Sequence, residues 1–483
     1  MGRAWREPCE ADRVRYDPAD VFAAGLRNHH ISNTAYPIAH ERTWGPYRVR
    51  GPGQKEVMAR AFAGVDGLCL YAHVPFCETR CSFCEYTVVK PGEAPLAGRY
   101  MGAMLDELGL YRGMLGGRTL HGFDIGGGTP SFVDACEIER LVGAVRAGFA
   151  FAPGSDISIE TTPRIAAAEP GKLAAYRACG IGRISMGVQV IQPDLLRVLN
   201  RSGNGVEHHF AARDNIRGAG FTRFNIDLMY GFHGQSCASW EATLRHAIEL
   251  GPEYITLYRM RYKLTRISHQ ARGVTLEDVG PLQKLAKSIL SAAGYRANPG
   301  KTTYSRVAGD VGTSSYLARR VIEGMPYLGI GLGAQTFTHT TISYNDGAVG
   351  KNLSPYLRSV AASRPPIQDL YDLPLRQMSG KMCAVSFYFG EIDRGSFRAK
   401  FGVPLEEVYG DEIAFVLGRG LMEQTERALS LTPDGVEQLP GVIALFFAPS
   451  IQGYLVSRDP DTADDMDRNE RLALRVAGEG AGV

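Results

Sequence analysis

The sequence predicts an α/β fold, a partial barrel of six βα units, and three observations carry that prediction. First, short apolar runs of strand length recur at 68–75 (LCLYAHVP), 122–127 (GFDIGG), 156–161 (DISIET), 183–189 (RISMGVQ), 224–230 (FNIDLMY) and 254–260 (YITLYRM). Second, segments of helical character such as RYMGAMLDELGLYRGML and EIERLVGAVRAGF separate them. The spacing is about 30 residues, the size of a βαβ unit built around a parallel sheet. Third, the runs read as near-continuous apolar stretches, as strands covered on both faces should. Their polar residues come late, at the end where barrels and open α/β sheets place their chemistry. Six units close only part of a barrel.

The flanks differ in character. Residues 1–66 have little periodicity and many Gly, Pro and His residues, and are expected to form an N-terminal extension wrapped on the body. The barrel with a Gly-rich extension is placed at 67–365, where GIGLGAQTF (329–337) is a further strand or turn. From MSGKMCAVSFYFGEI onward the pattern predicts a small, mostly helical C-terminal domain with a short hairpin, over 366–456. The tail 457–483 is charged and Gly-terminated, and is expected to be mobile.

The 483 residues are 45% hydrophobic and 22% charged, values of a soluble globular protein. A net charge of +2 offers no basic stripe for nucleic acid or an anionic membrane. No run approaches the roughly 20 apolar residues of a membrane span. MGRAWREPCEADRVRYD lacks an apolar signal core, and Arg6 stands where a myristoylation signal needs Ser or Thr. Three of nine cysteines lie within eight residues, and Cys9, Cys69, Cys136, Cys179, Cys237 and Cys383 are scattered. That is no disulfide framework, and a reducing cytoplasmic location is expected.

The three clustered cysteines carry the chemistry. Residues 71–86 read YAHVPFCETRCSFCEY, placing Cys77, Cys81 and Cys84 as Cys-x3-Cys-x2-Cys on a loop leaving a strand. Thiolates suit iron–sulfur clusters and zinc, both of which ordinarily take four ligands. A three-cysteine loop leaves one iron open for a non-protein ligand. The other reading of the spacing is a zinc knuckle, with His73 or a distant cysteine as fourth ligand.

Further segments follow in order: Gly126-Gly127-Gly128-Thr129-Pro130, Glu160 in ISIETTP, RISMGVQ ending at Gln189, Leu199-Asn200-Arg201, and Asp227 in NIDLMYG. With the cysteine loop, this series resembles the radical S-adenosylmethionine (SAM) superfamily. Within it, the series resembles the oxygen-independent coproporphyrinogen III oxidase-like branch, the coproporphyrinogen dehydrogenases and their relatives. The resemblance implies a radical SAM partial barrel with a [4Fe–4S] cluster on Cys77, Cys81 and Cys84. It also implies two SAM molecules in one cavity. Tyr71 and the Gly126–Thr129 turn would face the first; Arg201 and Asp227 would contact the second; Glu160 and Gln189 would bind polar SAM groups. An electron donor such as flavodoxin or ferredoxin is implied as well.

Two departures narrow the resemblance. Cys84 is followed by Glu85 and Tyr86, whereas coproporphyrinogen dehydrogenases carry another cysteine at the second of these positions. The His-Asn-x-x-Tyr-Trp element of the haem chaperones is missing from the sequence. Tyr258-Arg259-Met260-Arg261, GLGAQTF (331–337) and SYNDGAVGKNLSPY (343–356) instead look similar to class C methylases and cyclopropanases of natural-product biosynthesis. That likeness implies one-carbon transfer from the second SAM to an sp² carbon of an unsaturated small molecule, with a separate methyltransferase as a further partner. Tyr258, Arg259, Arg261 and Tyr344 are the candidate cavity residues, and the sequence names no catalytic acid or base. The alternatives are oxidative decarboxylation of a porphyrinogen, which calls for cations to meet several propionates, and haem binding or delivery.

Overall fold

The computed structural model describes residues 5–51, 53–262, 265–310 and 312–459. The tail expected to be mobile lies outside the described residues from 460 onward. In chain order the first strands are β1 (Arg48–Val49), β2 (Gly67–Val74), β3 (Thr119–Gly127), β4 (Ala150–Phe151) and β5 (Ile157–Thr161). Then come β6 (Arg183–Gln189), β7 (Arg223–Tyr230), β8 (Tyr254–Arg259) and β9 (Thr303–Ser305). Next are β10 (Tyr327–Ile330), β11 (Gln335–Phe337), β12 (Thr341–Asn345) and β13 (Ile367–Asp372). The six strands expected from the sequence, β2, β3, β5, β6, β7 and β8, pair in that order and are all parallel. Helices cross between them. In Ala135–Gly148, for example, Ile138, Leu141, Val142 and Val145 form one buried stripe at helical spacing.

The sheet continues past the six. On the β8 side, β9 adds antiparallel; on the β2 side, β10 joins parallel, then β11, β12, β13 and β1 follow antiparallel. GIGLGAQTF is therefore not one strand but parts of two, β10 and β11, with a turn between them. Because β13 pairs with β12, the main sheet runs to residue 372, past the boundary placed at 366 from the sequence. Pro365-Pro366 reads as punctuation, yet it only precedes the last strand.

One expectation is corrected. The central strands are not apolar on both faces; they alternate. Leu70 and Ala72, Phe123 and Ile125, Ile157 and Ile159, Ile184 and Met186, Phe224 and Ile226, and Ile255 and Leu257 are buried in one continuous core. The intervening Tyr71 and His73, Asp124, Ser158 and Glu160, Arg183 and Ser185, Asn225 and Asp227, and Thr256 and Tyr258 line a cavity. Side chains alternate with period 2, so one face meets the helices while the other forms a polar lumen. The sheet is wet inside, and that lumen is where the chemistry lies.

Residues 5–47 and 371–456 share a second core, joined by Cys69, Tyr316, Tyr327, Phe337 and Ile342, whereas Met58, Phe62 and Val65 belong to the first. Helix Pro18–Arg27 packs on helices Leu439–Leu445 and Pro449–Ser457. The approach is close enough that a Cβ at Gly25 would stand 2.4 Å from the Pro440 carbonyl oxygen. Gln377 ties the two ends together: its Oε1 accepts from Tyr36 Oη at 2.8 Å and Trp44 Nε1 at 2.7 Å, and its Nε2 donates to Asp12. A three-stranded sheet of β14 (Glu391–Asp393), β15 (Met422–Gln424) and β16 (Ala428–Leu431) accompanies the C-terminal helices, with β15 and β16 as its hairpin. Among the described residues, no helix is long and apolar enough to cross a membrane.

Candidate active site

The cysteine loop leaves the end of β2, and the Gly126–Pro130 segment at the end of β3 lies beside it. Gly128 N–H donates to the Val74 carbonyl at 2.8 Å and Thr129 N–H to the Phe76 carbonyl at 2.7 Å. A Cβ at Gly128 would come 2.6 Å from Phe76 O and 3.0 Å from Cys77 Sγ. Only glycine permits this approach. From the other side, Ser82 N–H donates to Leu199 O and Asn200 Nδ2 to Arg80 O, both at 2.9 Å. The loop is thus held by the segments the sequence singled out.

Thr129 Oγ1 donates to Cys77 Sγ at 3.4 Å, and Arg201 Nη1 donates to Cys81 Sγ at 3.2 Å. Burial pushes the Cys77 thiol up to about 12, against the hydrogen bond from Thr129, and burial also raises Cys84. Such thiols keep their protons until a metal displaces them. Among the described residues no three His, Cys, Asp or Glu side chains converge as they would on a single ion. The zinc-knuckle reading also loses His73. Its Nε2 lies 2.7 Å from Thr87 O and its Nδ1 3.3 Å from Tyr71 Oη, and burial pushes its pKa down to about 4.

Two adjoining cavities meet at this loop. The smaller, about 210 Å³, is lined by the three cysteines, Gly127–Thr129, Gln189, Arg201 and Arg259. The larger, about 630 Å³, fills the lumen and reaches Tyr71, Tyr344, Arg320 and Lys381. Glu160, Asp227, Tyr258 and Arg261 line both. Glu160 accepts from the Gly127 N–H at 3.3 Å, and its carboxyl is pushed up to about 8 by burial, then by Asp227 and Asp124. Asp227 is raised by burial, although Ser185 Oγ and Asn225 Nδ2 donate to it at 2.7 and 2.8 Å. Burial is the main reason both carboxyls favour the neutral form, and the ammonium of SAM is a cation that would favour their ionised form. Gln189 Oε1 and Arg201 Nε are buried without hydrogen-bond partners, and Gln189 has φ +68°, a strained backbone held at the end of β6. The donor set, the Gly128 gap and these unpaired atoms fit a cluster with SAM bound to it.

Two of the expected SAM residues have these neighbours. Arg201, expected at a second SAM, faces the cysteine loop: its Nη2 donates to the Gly187 carbonyl at 2.6 Å beside the contact to Cys81. Tyr71, expected against the first SAM, lies on the wall of the larger cavity, stacked on Tyr316 with ring centroids 5.9 Å apart. The Tyr71 ring also borders the glycine turn: a Cβ at Gly126 would stand 2.8 Å from Glu160 Oε1 and 3.2 Å from Tyr71 Cε2. Of the other candidates, Arg261 pairs with Glu85 and Tyr388 Oη, and Arg259 Nη2 contacts His29 Nδ1 at 2.6 Å. Tyr344 Oη accepts from Gln335 Nε2 at 2.7 Å.

The sequence reading missed Arg320, Lys381 and Asp124. Arg320 lies 4.7 Å from the Tyr327 ring centroid, with Nη1 3.5 Å from Tyr316 Oη. Lys381 is buried and donates to the Tyr36 carbonyl at 3.1 Å. Asp124 Oδ2 accepts from Ser314 Oγ at 2.7 Å, while Oδ1 is buried without a partner. A lysine inside the otherwise uncharged apolar stretch MSGKMCAVS was the one signal available. Arg320, in YLARRV, reads as any surface helix would.

Residues 71–247 match the family model described as the Radical SAM superfamily. The chain is 32% identical over 234 residues to the oxygen-independent coproporphyrinogen III oxidase of Escherichia coli (strain K12), covering 47% of this chain and 50% of that protein. It is 34% identical over 236 residues to the heme chaperone HemW of Mycobacterium tuberculosis (strain ATCC 25618 / H37Rv), covering 47% and 59%. The chain spans about half the length of these curated relatives. The solved coproporphyrinogen III oxidase of Escherichia coli, HemN, superposes with a TM-score of 0.70 at 24% identity, covering 86% of this chain and 96% of that one. At that identity the likeness establishes the fold. The match over residues 71–247 is to the radical SAM superfamily, which implies a [4Fe–4S] cluster and SAM, and the curated relatives to which the chain is similar belong to the coproporphyrinogen-oxidase-like branch. These relatives are oxidases and haem chaperones, not the methylases or cyclopropanases that the sequence resemblance suggested.

Proposed function

We propose that this radical SAM enzyme takes a hydrogen atom from a carboxylate-bearing substrate of the porphyrinogen type, held in the larger cavity. The substrate radical then loses carbon dioxide and passes one electron to an external one-electron acceptor, leaving an alkene. One observation carries the reading: of the four cations that line that cavity, Arg183, Arg261, Arg320 and Lys381, the last two make no contact ion pair with a carboxylate among the described residues. The carboxyl that feels Arg320 electrostatically, Asp124, is itself held toward its neutral form by burial. A buried charge is costly unless paired, so these side chains call for anions from the ligand. Guanidinium forks bind carboxylates in two-point fashion. A cavity of about 630 Å³ also has the size of a site for a sizeable organic ligand.

The chain's own residues then divide the work. Cys77, Cys81 and Cys84 would hold the cluster, and Gly126–Thr129 with Glu160 and Gln189 would orient SAM upon it. When bound, the cluster and SAM supply an adenosyl radical able to remove hydrogen from carbon. Arg261, Arg320 and Lys381 anchor substrate carboxylates. Tyr71 and Tyr316 form an aromatic wall, and residues 31–40 of the N-terminal arm cover the lumen from solvent. Placement and exclusion of water are the protein's contribution.

One-carbon transfer from a second SAM is the other reading, favoured by Tyr86. It occupies the cavity wall where coproporphyrinogen dehydrogenases carry a cysteine. Asp227 and Glu160 would then accept from groups of the second SAM in the shared lumen. Anaerobic turnover of the cluster-loaded protein with coproporphyrinogen III, SAM and dithionite distinguishes the readings. Carbon dioxide released in step with 5′-deoxyadenosine is expected. A one-carbon adduct without carbon dioxide would establish the second reading, and background SAM cleavage alone would fit haem delivery.

A further inference from the structure

Three separate segments of the chain converge on the backbone of the cysteine loop. Ser82 N–H donates to Leu199 O, and Arg266 N–H donates to Ser82 O, both at 2.9 Å. Lys351 Nζ donates to the Glu85 and Tyr86 carbonyls, each at 3.2 Å. Three cations therefore flank the loop: Arg266, which is exposed, and the half-buried Arg80 and Lys351. Burial, and after it the charge of Arg80, pushes the Lys351 amine down to about 8, so these two stand close together. The loop's own carboxylates are already paired, Glu78 with Arg164 and Glu85 with Arg261. Among the described residues, Arg80, Arg266 and Lys351 make no ion pair. The loop thus carries an excess of positive charge around it, on a chain whose net charge is only +2. Val198, 50% exposed beside Leu199, adds apolar surface. None of Val198, Arg266 and Lys351 lines either cavity, so this face looks away from the lumen.

We propose that this face docks an acidic, flavodoxin-type electron carrier, with Arg80, Arg266 and Lys351 meeting its carboxylates and Val198 giving an apolar contact. The proposal rests on the radical SAM reading and adds to it the surface through which the centre is reduced. Docked here, the hydroquinone form of the carrier passes one electron to the oxidised cluster. The carrier leaves as its semiquinone, and the cluster is left reduced by one electron. The loop that ligates the iron would be all that separates the two centres. Opposite charges supply orientation and encounter rate more than lasting affinity. Electron-transfer complexes are small and weak, so a few cations and one apolar side chain are enough to make such a face.

The test uses a purified acidic flavodoxin with cluster-loaded wild type, Arg266→Glu and Lys351→Gln, iron being counted in each sample. Two quantities are read: the affinity for oxidised flavodoxin, which needs no turnover, and the rate of cluster reduction by its hydroquinone. Dithionite and reduced methyl viologen, small reductants of opposite charge, serve as controls. In wild type, affinity and rate should both fall between about 50 and about 300 mM salt, because salt screens exposed charges. At low salt, Arg266→Glu should lower both by about tenfold and Lys351→Gln by about threefold. Reduction by the two small reductants should stay within about twofold of wild type. Flavodoxin binding and reduction that ignore salt in wild type, or that are unchanged in Arg266→Glu, overturn the proposal. Equal slowing with dithionite and with viologen in both variants also overturns it, because the side chains would then support the loop and not the carrier. Should Arg266→Glu load no cluster, Lys351→Gln decides: the threefold fall supports the docking face, and no change overturns it. Wild-type protein that binds no iron would instead remove the radical SAM reading itself.

Discussion

Replacing any one of Cys77, Cys81 or Cys84 with alanine is expected to abolish the iron–sulfur centre and all SAM cleavage. The three thiols are the only cysteines beside the smaller cavity, and an iron left without its thiolate cannot borrow another. Cys136 and Cys237 are exposed elsewhere on the surface, while Cys69 and Cys383 are buried in the second core. Burial opposes ionisation of Cys77 and Cys84, so a partial cluster resting on either gains little. The readout is the brown visible absorption together with iron and sulfide content after anaerobic reconstitution. Cys136→Ser, treated alongside, should load fully. A full iron complement in any of the three alanine variants would sink the cluster assignment.

The next largest effect should come from the cationic wall. Arg320→Gln and Lys381→Met each remove a charged donor from the larger cavity without touching the cysteine loop. Each lost charge-assisted contact costs about 1.5–3 kcal/mol, roughly tenfold to a hundredfold in KM for an anionic substrate. Reductive SAM cleavage in the absence of substrate should stay near wild type, which separates substrate binding from damage to the cofactor site. Lys381 adds a pH signature. Burial pushes its pKa down to about 7, helped by the neighbouring Arg320 and Arg261 charges, and its amine faces the Tyr36 carbonyl with no carboxylate to oppose the shift. The ammonium is present below that value and lost above it. Affinity for a carboxylate should therefore weaken as pH rises from about 6 to about 8, and Lys381→Met should flatten the profile. A KM indifferent to both substitutions would place the substrate carboxylates elsewhere.

What the sequence disclosed depended on whether a residue's role was local. The Cys77–Cys84 spacing, the triple glycine and the RISMGVQ and NIDLMYG strands are contiguous words, and the structure brings them to one place. The apolar half of each strand gave its position, but the alternate polar half was harder to interpret. Asp124, Ser158, Asn225 and Thr256 look like interruptions of a hydrophobic run until the sheet curls and gives them a common lumen. Lys381 belongs to a helix of the C-terminal region, and Arg320 to helix Ser315–Val321 between β9 and β10, which packs on β2 and β3; neither is part of a contiguous motif. Arg201 was visible as a functional residue, yet which anion it faces depended on the return of the chain after helix Pro193–Val198 to the cysteine loop.

The central claim is that hydrogen is taken from a carboxylate side chain of the substrate. It is tested most directly by turning over the enzyme with unlabelled coproporphyrinogen III and methyl-deuterated SAM, and determining by mass spectrometry whether 5′-deoxyadenosine carries deuterium. The account predicts unlabelled 5′-deoxyadenosine accompanied by carbon dioxide. One deuterium in 5′-deoxyadenosine, with two deuteriums on a carbon delivered to the product, would contradict it and assign the larger cavity to one-carbon transfer.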